Sequence, residues 1–169
     1  MYIRRGEKRM FTLFKKKDKG IHIMAPIDGT CVSLSDVKDE VFSQKMMGDG
    51  VAIEPSGDTL CAPISGVITA IVDSHHAFGI TSDEGIEILV HCGLDTVNLG
   101  GKGFSVLKEV QTKVQAGEPI LKVDTAFMKE QRIPLITPVI ILNGQDKEIS
   151  NYHIGEVVKA KESVLLELI

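Results

Sequence analysis

Residues His76 to His91 read H-A-F-G-I-T-S-D-E-G-I-E-I-L-V-H, two apolar runs on either side of Ser82-Asp83-Glu84-Gly85. Apolar residues in the runs and turn-formers between them predict an antiparallel hairpin with a histidine at each open end. If the four turn residues form the loop, Thr81 opposes Ile86 and His76 lies directly opposite His91. Their Cβ atoms would then be roughly 4.5–5.5 Å apart on one face, close enough for two imidazoles to share one small anion or metal. If Gly85 instead supplies the left-handed residue of a three-residue bulged loop, Ser82 opposes Ile86 and His76 opposes Cys92. Counting leaves both registers open.

Outside the hairpin the chain continues as short apolar stretches punctuated by Gly and Pro. Ala25-Pro26, Gly48-Asp49-Gly50, Pro55-Ser56-Gly57-Asp58, Ala62-Pro63, Gly100-Gly101-Lys102-Gly103, Ala116-Gly117 and Gly155 mark the breaks. The expected class is all-β, with one short helix of note around Thr125 to Gln131. Ala25-Pro26-Ile27-Asp28-Gly29-Thr30 recurs 37 residues later as Ala62-Pro63-Ile64-Ser65-Gly66-Val67, each copy preceding a strand-like stretch. Two related halves packed face to face predict a β-sandwich or flattened antiparallel barrel with an internal duplication and at most short helical turns.

The 169 residues suit one domain, and 43% hydrophobic but only 5% aromatic composition predicts an aliphatic core. Cys31, Cys61 and Cys92 are odd in number and lack CxxC spacing, which fits a reducing, cytoplasmic setting rather than a disulfide framework or zinc ribbon. The sequence shows neither a membrane-length apolar run nor a secretory leader. Eight Lys/Arg against Glu7 and Asp18 give residues 1–20 a charge of +6, so with a whole-chain charge of −4 the rest carries −10. We therefore divide the chain into a basic, flexible tail, 1–20, and a folded domain, 21–169. Met10, Leu13 and Phe14 fall at helical spacing in the tail, which suits peripheral contact with an anionic membrane. An acidic body argues against nucleic acid as a partner and favours a basic protein.

Neutral imidazole is a nucleophile that can accept and pass on a phosphoryl group. In that chemistry His91 is the nucleophile and His76 donates a hydrogen bond to the phosphoryl oxygens. Ser74, two residues before His76 and expected on the same strand face, would fix the His76 ring. Gly93 would leave room beside His91 for a macromolecular partner. His75 is expected to point away from this face, and His22 and His153 to be surface residues. Asp95 is open to three readings: metal ligand, charge facing a basic partner, or turn residue capping local amides. Phe42, Met46 and Met47 are either core or, if exposed near the histidines, an adaptable docking surface.

G-x-x-I-L-V-H-x-G-L-x-T-V from Gly85 to Val97, the H-A-F at His76 and the segment from Val41-Phe42 to Gly48-Asp49-Gly50 closely resemble one family. It is the glucose-type IIA component (EIIA type 1) of the bacterial phosphoenolpyruvate-dependent sugar phosphotransferase system, over about residues 21–169. The resemblance implies a β-sandwich phosphotransferase component without a cofactor, taking phosphate from HPr and handing it to the IIB cysteine of a sugar permease. It implies a phosphohistidine on Nε2 of His91, with His76 steadying the phosphoryl oxygens and Ser74, where the family often has Thr, bonded to His76. Phe42, Met46, Met47, Leu89 and Val97 map to an apolar docking ring, Asp39 and Asp95 to its acidic rim. It also favours the directly opposed register of the hairpin.

Cys92 and His75 depart from the family pattern, which has a bulkier apolar residue and a polar, non-titrating one there. Regulatory target proteins, bound according to phosphorylation state, are a further class of partner. The alternative is a zinc peptidase similar to the LytM type, whose H-x-x-x-D pair His91 and Asp95 imitate, although its downstream H-x-H is absent.

Overall fold

The computed structural model describes residues 19–169. The expected membrane contact of the basic tail falls almost wholly on residues outside that range.

Among the described residues the chain forms three antiparallel sheets that do not close into a barrel, so the sandwich form of the expected fold is the one adopted. The large sheet runs, in spatial order, Val157–Val158, Gly29–Ser33, Asp49–Pro55, Thr137–Asn143, Glu87–His91, Ala77–Ser82, Gly66–Ile71, Lys113–Val114. One three-stranded sheet holds Ile21–Met24, Val164–Leu168 and Ile149–Asn151, the other Thr59–Cys61, Pro119–Val123 and Phe104–Val106.

Alternation along the strands divides the apolar side chains between two clusters. Val51, Ile53, Ile88, Val90, Val139 and Ile141 face the main core, with Ile23, Leu60, Leu121 and Leu166 of the small sheets. Ala52, Leu89 and Ile140, one residue out of phase, face a second cluster with Leu34, Val37, Phe42 and Leu94. Thr137–Asn143 is buried on both faces over its first five residues, hence its unbroken apolar run.

The internal echo is a structural duplication. Met24 N–H donates to Pro63 O at 2.7 Å, and 37 residues on, Cys61 N–H donates to Pro26 O at 2.7 Å. Gly29 and Gly66 match as well: a Cβ on either would sit 2.2 Å from a carbonyl oxygen, of Glu54 or of Thr81, so the close strand approach demands glycine. A second echo escapes a reading of the first alone. Val114-Gln115-Ala116-Gly117-Glu118 corresponds to Val158-Lys159-Ala160-Lys161-Glu162, offset by 44 residues. Val114 pairs with Gly66 as Val158 pairs with Gly29. Along the chain the second half is inserted between Asp49–Pro55 and Thr137–Asn143 of the first, and the histidine strand lies where the halves meet, beside Thr137–Asn143.

The expected helix is present at Thr125–Glu130, where Asp124 accepts from Phe127 N–H. A second, Glu40–Ser43, is capped by Asp39 accepting from Val41 N–H at 2.9 Å. Asp39 was its sequence signal, since Asp is a preferred N-cap.

Candidate functional site

The hairpin adopts the bulged register, which corrects the directly opposed one favoured by the family resemblance. Ala77 pairs with His91 and Thr81 with Glu87. Ser82 N–H donates to Ile86 O at 2.9 Å, and Gly85 takes the left-handed φ of +84°. Side-chain alternation decides the matter. This register pairs Phe78 with Val90 and Ile80 with Ile88, all fully buried. The other would have set Ile80 opposite Glu87, forcing one of them onto the wrong face.

His76 therefore faces Cys92, whose N–H donates to His76 O at 2.7 Å, rather than facing His91. The two rings nevertheless meet edge to face, with centroids 4.7 Å apart and planes at 76°. Strand structure begins only at Ala77, and His75, two residues earlier, adopts φ +58°, so His76 leaves the regular pleat. Ser74 is likewise in a turn, not on a strand face, and its Oγ lies 2.9 Å from His76 Nδ1. With Nδ1 of His76 engaged, Nε2 is the nitrogen free to act elsewhere.

His91 ends its strand on the second-cluster face. Its ring packs on Phe42, centroids 4.9 Å apart. Nδ1 is buried and has no hydrogen-bond partner, while the Gly93 backbone favours a protonated ring. The half-buried ring thus presents Nε2 outward. Burial depresses the pKa of His91, and His76 depresses it further, against weaker opposing effects of the Gly93 backbone and the Asp39 charge. Burial likewise lowers that of His76, with the Ser74 backbone opposing. Both shifts favour the neutral form, which carries a lone pair.

Gly93 has a reason other than external access. At φ +82° its Cβ would lie 2.6 Å from Thr96 Cγ2 and 2.8 Å from Pro134 O. Glycine is demanded by the chain's own packing as it turns away from His91.

Phe42 is buried, while Met46 and Met47 are 69% and 43% exposed, so the apolar cluster read from sequence divides between core and surface. Leu89 is half-buried and Val97 exposed. Asp95 sits at φ +58° and makes no side-chain cap, which removes its capping role. His22 is exposed, whereas His153 is half-buried between Glu156, three residues on, and the more distant Glu167, at 3.1 and 3.4 Å. Among the described residues no three His, Cys, Asp or Glu are placed to hold a metal ion, so the peptidase alternative has no ligand set.

Residues 21–147 match the family model described as phosphoenolpyruvate-dependent sugar phosphotransferase system, EIIA 1. The chain belongs to that family. EIIA type 1 membership makes it a component of the phosphoenolpyruvate-dependent sugar phosphotransferase system. It is 39% identical over 155 residues to the glucose-specific EIIA component of Borreliella burgdorferi, covering 92% of this chain and 82% of the relative. With the glucoside-specific EIICBA component of Staphylococcus carnosus it shares 43% identity over 147 residues, 87% of this chain. It spans only 21% of that longer relative. The solved glucose permease IIA from Mycoplasma capricolum superposes with a TM-score of 0.81 at 37% identity, over 89% of this chain and 96% of that one.

Proposed function

We propose that this EIIA component carries a phosphoryl group on Nε2 of His91, taken from phospho-HPr and passed to the cysteine of a IIB domain. The supporting observation is the pair of rings 4.7 Å apart with His91 Nδ1 buried, which leaves one accessible nucleophilic nitrogen beside a second imidazole. The Nε2 lone pair attacks phosphorus as the N–P bond of phospho-HPr breaks, and the IIB thiolate later attacks the same phosphorus as the His91 N–P bond breaks. His76 acts from Nε2–H, donating to the phosphoryl oxygens, while Ser74 O–H donates to Nδ1 and holds that tautomer.

Depressed ring basicity suits this chemistry, because a protonated His91 has no lone pair to offer. Val41, Met46, Met47 and Val97 are exposed, Phe42 beside Val41 packs on the His91 ring, and Asp39 acts on its charge; with Asp95 they would form an apolar face with an acidic rim for basic partners, HPr first. Regulatory proteins would use the same face, and the relay would run in the cytoplasm. No helix among the described residues is long and apolar enough to cross a membrane.

The test is reconstitution with phosphoenolpyruvate, Enzyme I and HPr, followed by candidate IIB domains. One acid-labile, alkali-stable phosphoryl group is expected, absent in His91→Ala. Full labelling of His91→Ala would reject the assignment.

A further inference from the structure

Met46 and Met47 occupy a five-residue loop whose ends are tied together. Lys45 Nζ lies 2.9 Å from Asp49 Oδ1, closing the loop around the two methionines. The same Oδ1 accepts from Gly50 N–H at 2.7 Å, and Oδ2 accepts from Tyr152 OH at 2.6 Å. Lys45 Nζ also stands 5.9 Å from the centre of the Tyr152 ring, within cation–π range. Tyr152 thus engages both members of the ion pair, from a position 103 residues after Asp49 in the chain.

The tie has strain to hold. Lys45 sits at φ +55°, a left-handed conformation that a lysine adopts only when its surroundings impose it, and Gly48 follows at φ +142°. Within the loop, Gly48 N–H donates to Lys45 O at 3.2 Å and Met46 N–H to Val41 O at 3.1 Å. An exposed lysine–carboxylate pair alone fixes little, since both side chains remain mobile and solvated. The phenol changes that, because Tyr152 packs against the main core and locks the carboxylate that Lys45 must meet. Asp49 is held below the usual carboxylate range: burial works against this, but bonds from Tyr152, Lys45 and Gly50 outweigh it. The Tyr152 hydroxyl is pushed up to about 12, first by its bond to Asp49.

We propose that Tyr152 is a positioning residue for partner docking: by fixing Asp49 it clamps Lys45 and sets the geometry in which Met46 and Met47 meet a protein partner. This rests on the reading that the His91 face receives HPr. Tyr152 touches no reacting group, so its removal acts on encounter and not on chemistry.

The test is Tyr152→Phe, which deletes one hydroxyl and keeps the packed ring. Expected are faster hydrogen exchange at the Met46 and Gly48 amides and a KM for phospho-HPr raised about fivefold, the factor one hydrogen bond commonly contributes, with kcat unchanged. Lys45→Met should raise KM similarly, and adding Tyr152→Phe to it should raise KM no further, because the two act through one carboxylate. A loss of thermal stability alone would leave KM at the wild-type value in all three variants. Unchanged KM, a fall in kcat instead, or additive effects would overturn the proposal. If the wild type accepts no phosphoryl group from phospho-HPr, the carrier reading fails, and wild-type titration with unphosphorylated HPr decides the rest. Weaker HPr binding by Tyr152→Phe would uphold the clamp, and equal binding would overturn it.

Discussion

Gly93→Ala tests how the chain turn behind His91 is built. At φ +82° an alanine costs about 1–2 kcal/mol in conformation alone. The new methyl also meets Thr96 Cγ2 at 2.6 Å and Pro134 O at 2.8 Å. Neither neighbour is free to retreat. Thr96 is fully buried and donates through Oγ1 to Cys92 O at 2.8 Å, and Pro134 O accepts from Leu94 N–H at 3.1 Å. Overpacking of this kind adds about 1–3 kcal/mol. Gly100→Ala supplies the control, because Gly100 has φ +58° and nothing within 4 Å of its virtual Cβ. Both substitutions restrict the unfolded chain equally, so that contribution cancels between them.

Thermal unfolding by calorimetry or circular dichroism reads the difference. Gly93→Ala should melt lower than Gly100→Ala by roughly 2–12 °C, from a steric gap of about 1–3 kcal/mol in a domain of this size. Equal melting temperatures would refute the claim that internal packing, rather than left-handed backbone alone, dictates glycine here. Gly93→Ala should also slow phosphorylation of His91 more than Gly100→Ala does, since the displaced segment carries the Gly93 backbone that acts on the His91 ring.

Ser74→Ala removes the 2.9 Å partner of His76 Nδ1 and should slow phosphoryl transfer to His91 by about tenfold, read from initial rates, with His91 still the labelled residue. Phe42→Ala should destabilise by about 3–5 kcal/mol in denaturant melts, because the ring is buried and supports both the second cluster and His91. Since His76 and His91 both have lowered pKa values, the unfolded chain binds more protons than the folded one below about pH 6.5. Stability from these groups is therefore complete above that pH and falls as the pH drops through it toward the folded values, while phosphoryl acceptance persists below pH 6.5; a His76→Gln/His91→Gln double variant with an unchanged acid limb in its melts would contradict this. Cys92, fully buried with its thiol pushed up to about 12 chiefly by burial, should react with maleimide only after unfolding, as mass spectrometry would show.

Much was legible in the residues themselves. Period-two alternation around Gly85 announces a hairpin, the repeated Ala-Pro-Ile-x-Gly announces a duplication, and two histidines at the hairpin mouth announce a site. The hairpin register was legible too, had the alternation of Phe78, Ile80, Ile88 and Val90 been weighed above the count of loop residues. A slip of one residue exchanges core for solvent along a whole strand, so burial overrules loop length.

Tertiary structure alone decided the rest, because those features depend on where distant segments pack. That His76 reaches His91 although it is paired with Cys92 follows from the left-handed break at His75, which a strand pattern does not encode. That Phe42 is buried while Met46 and Met47 are exposed follows from a second cluster on the outer face, and all three side chains are equally apolar in sequence. The phenol of Tyr152 meets Asp49 across 103 residues because one half of the duplication is inserted in the chain between the segments that carry them. Local composition determined which groups could do chemistry, and long-range packing determined which of them meet.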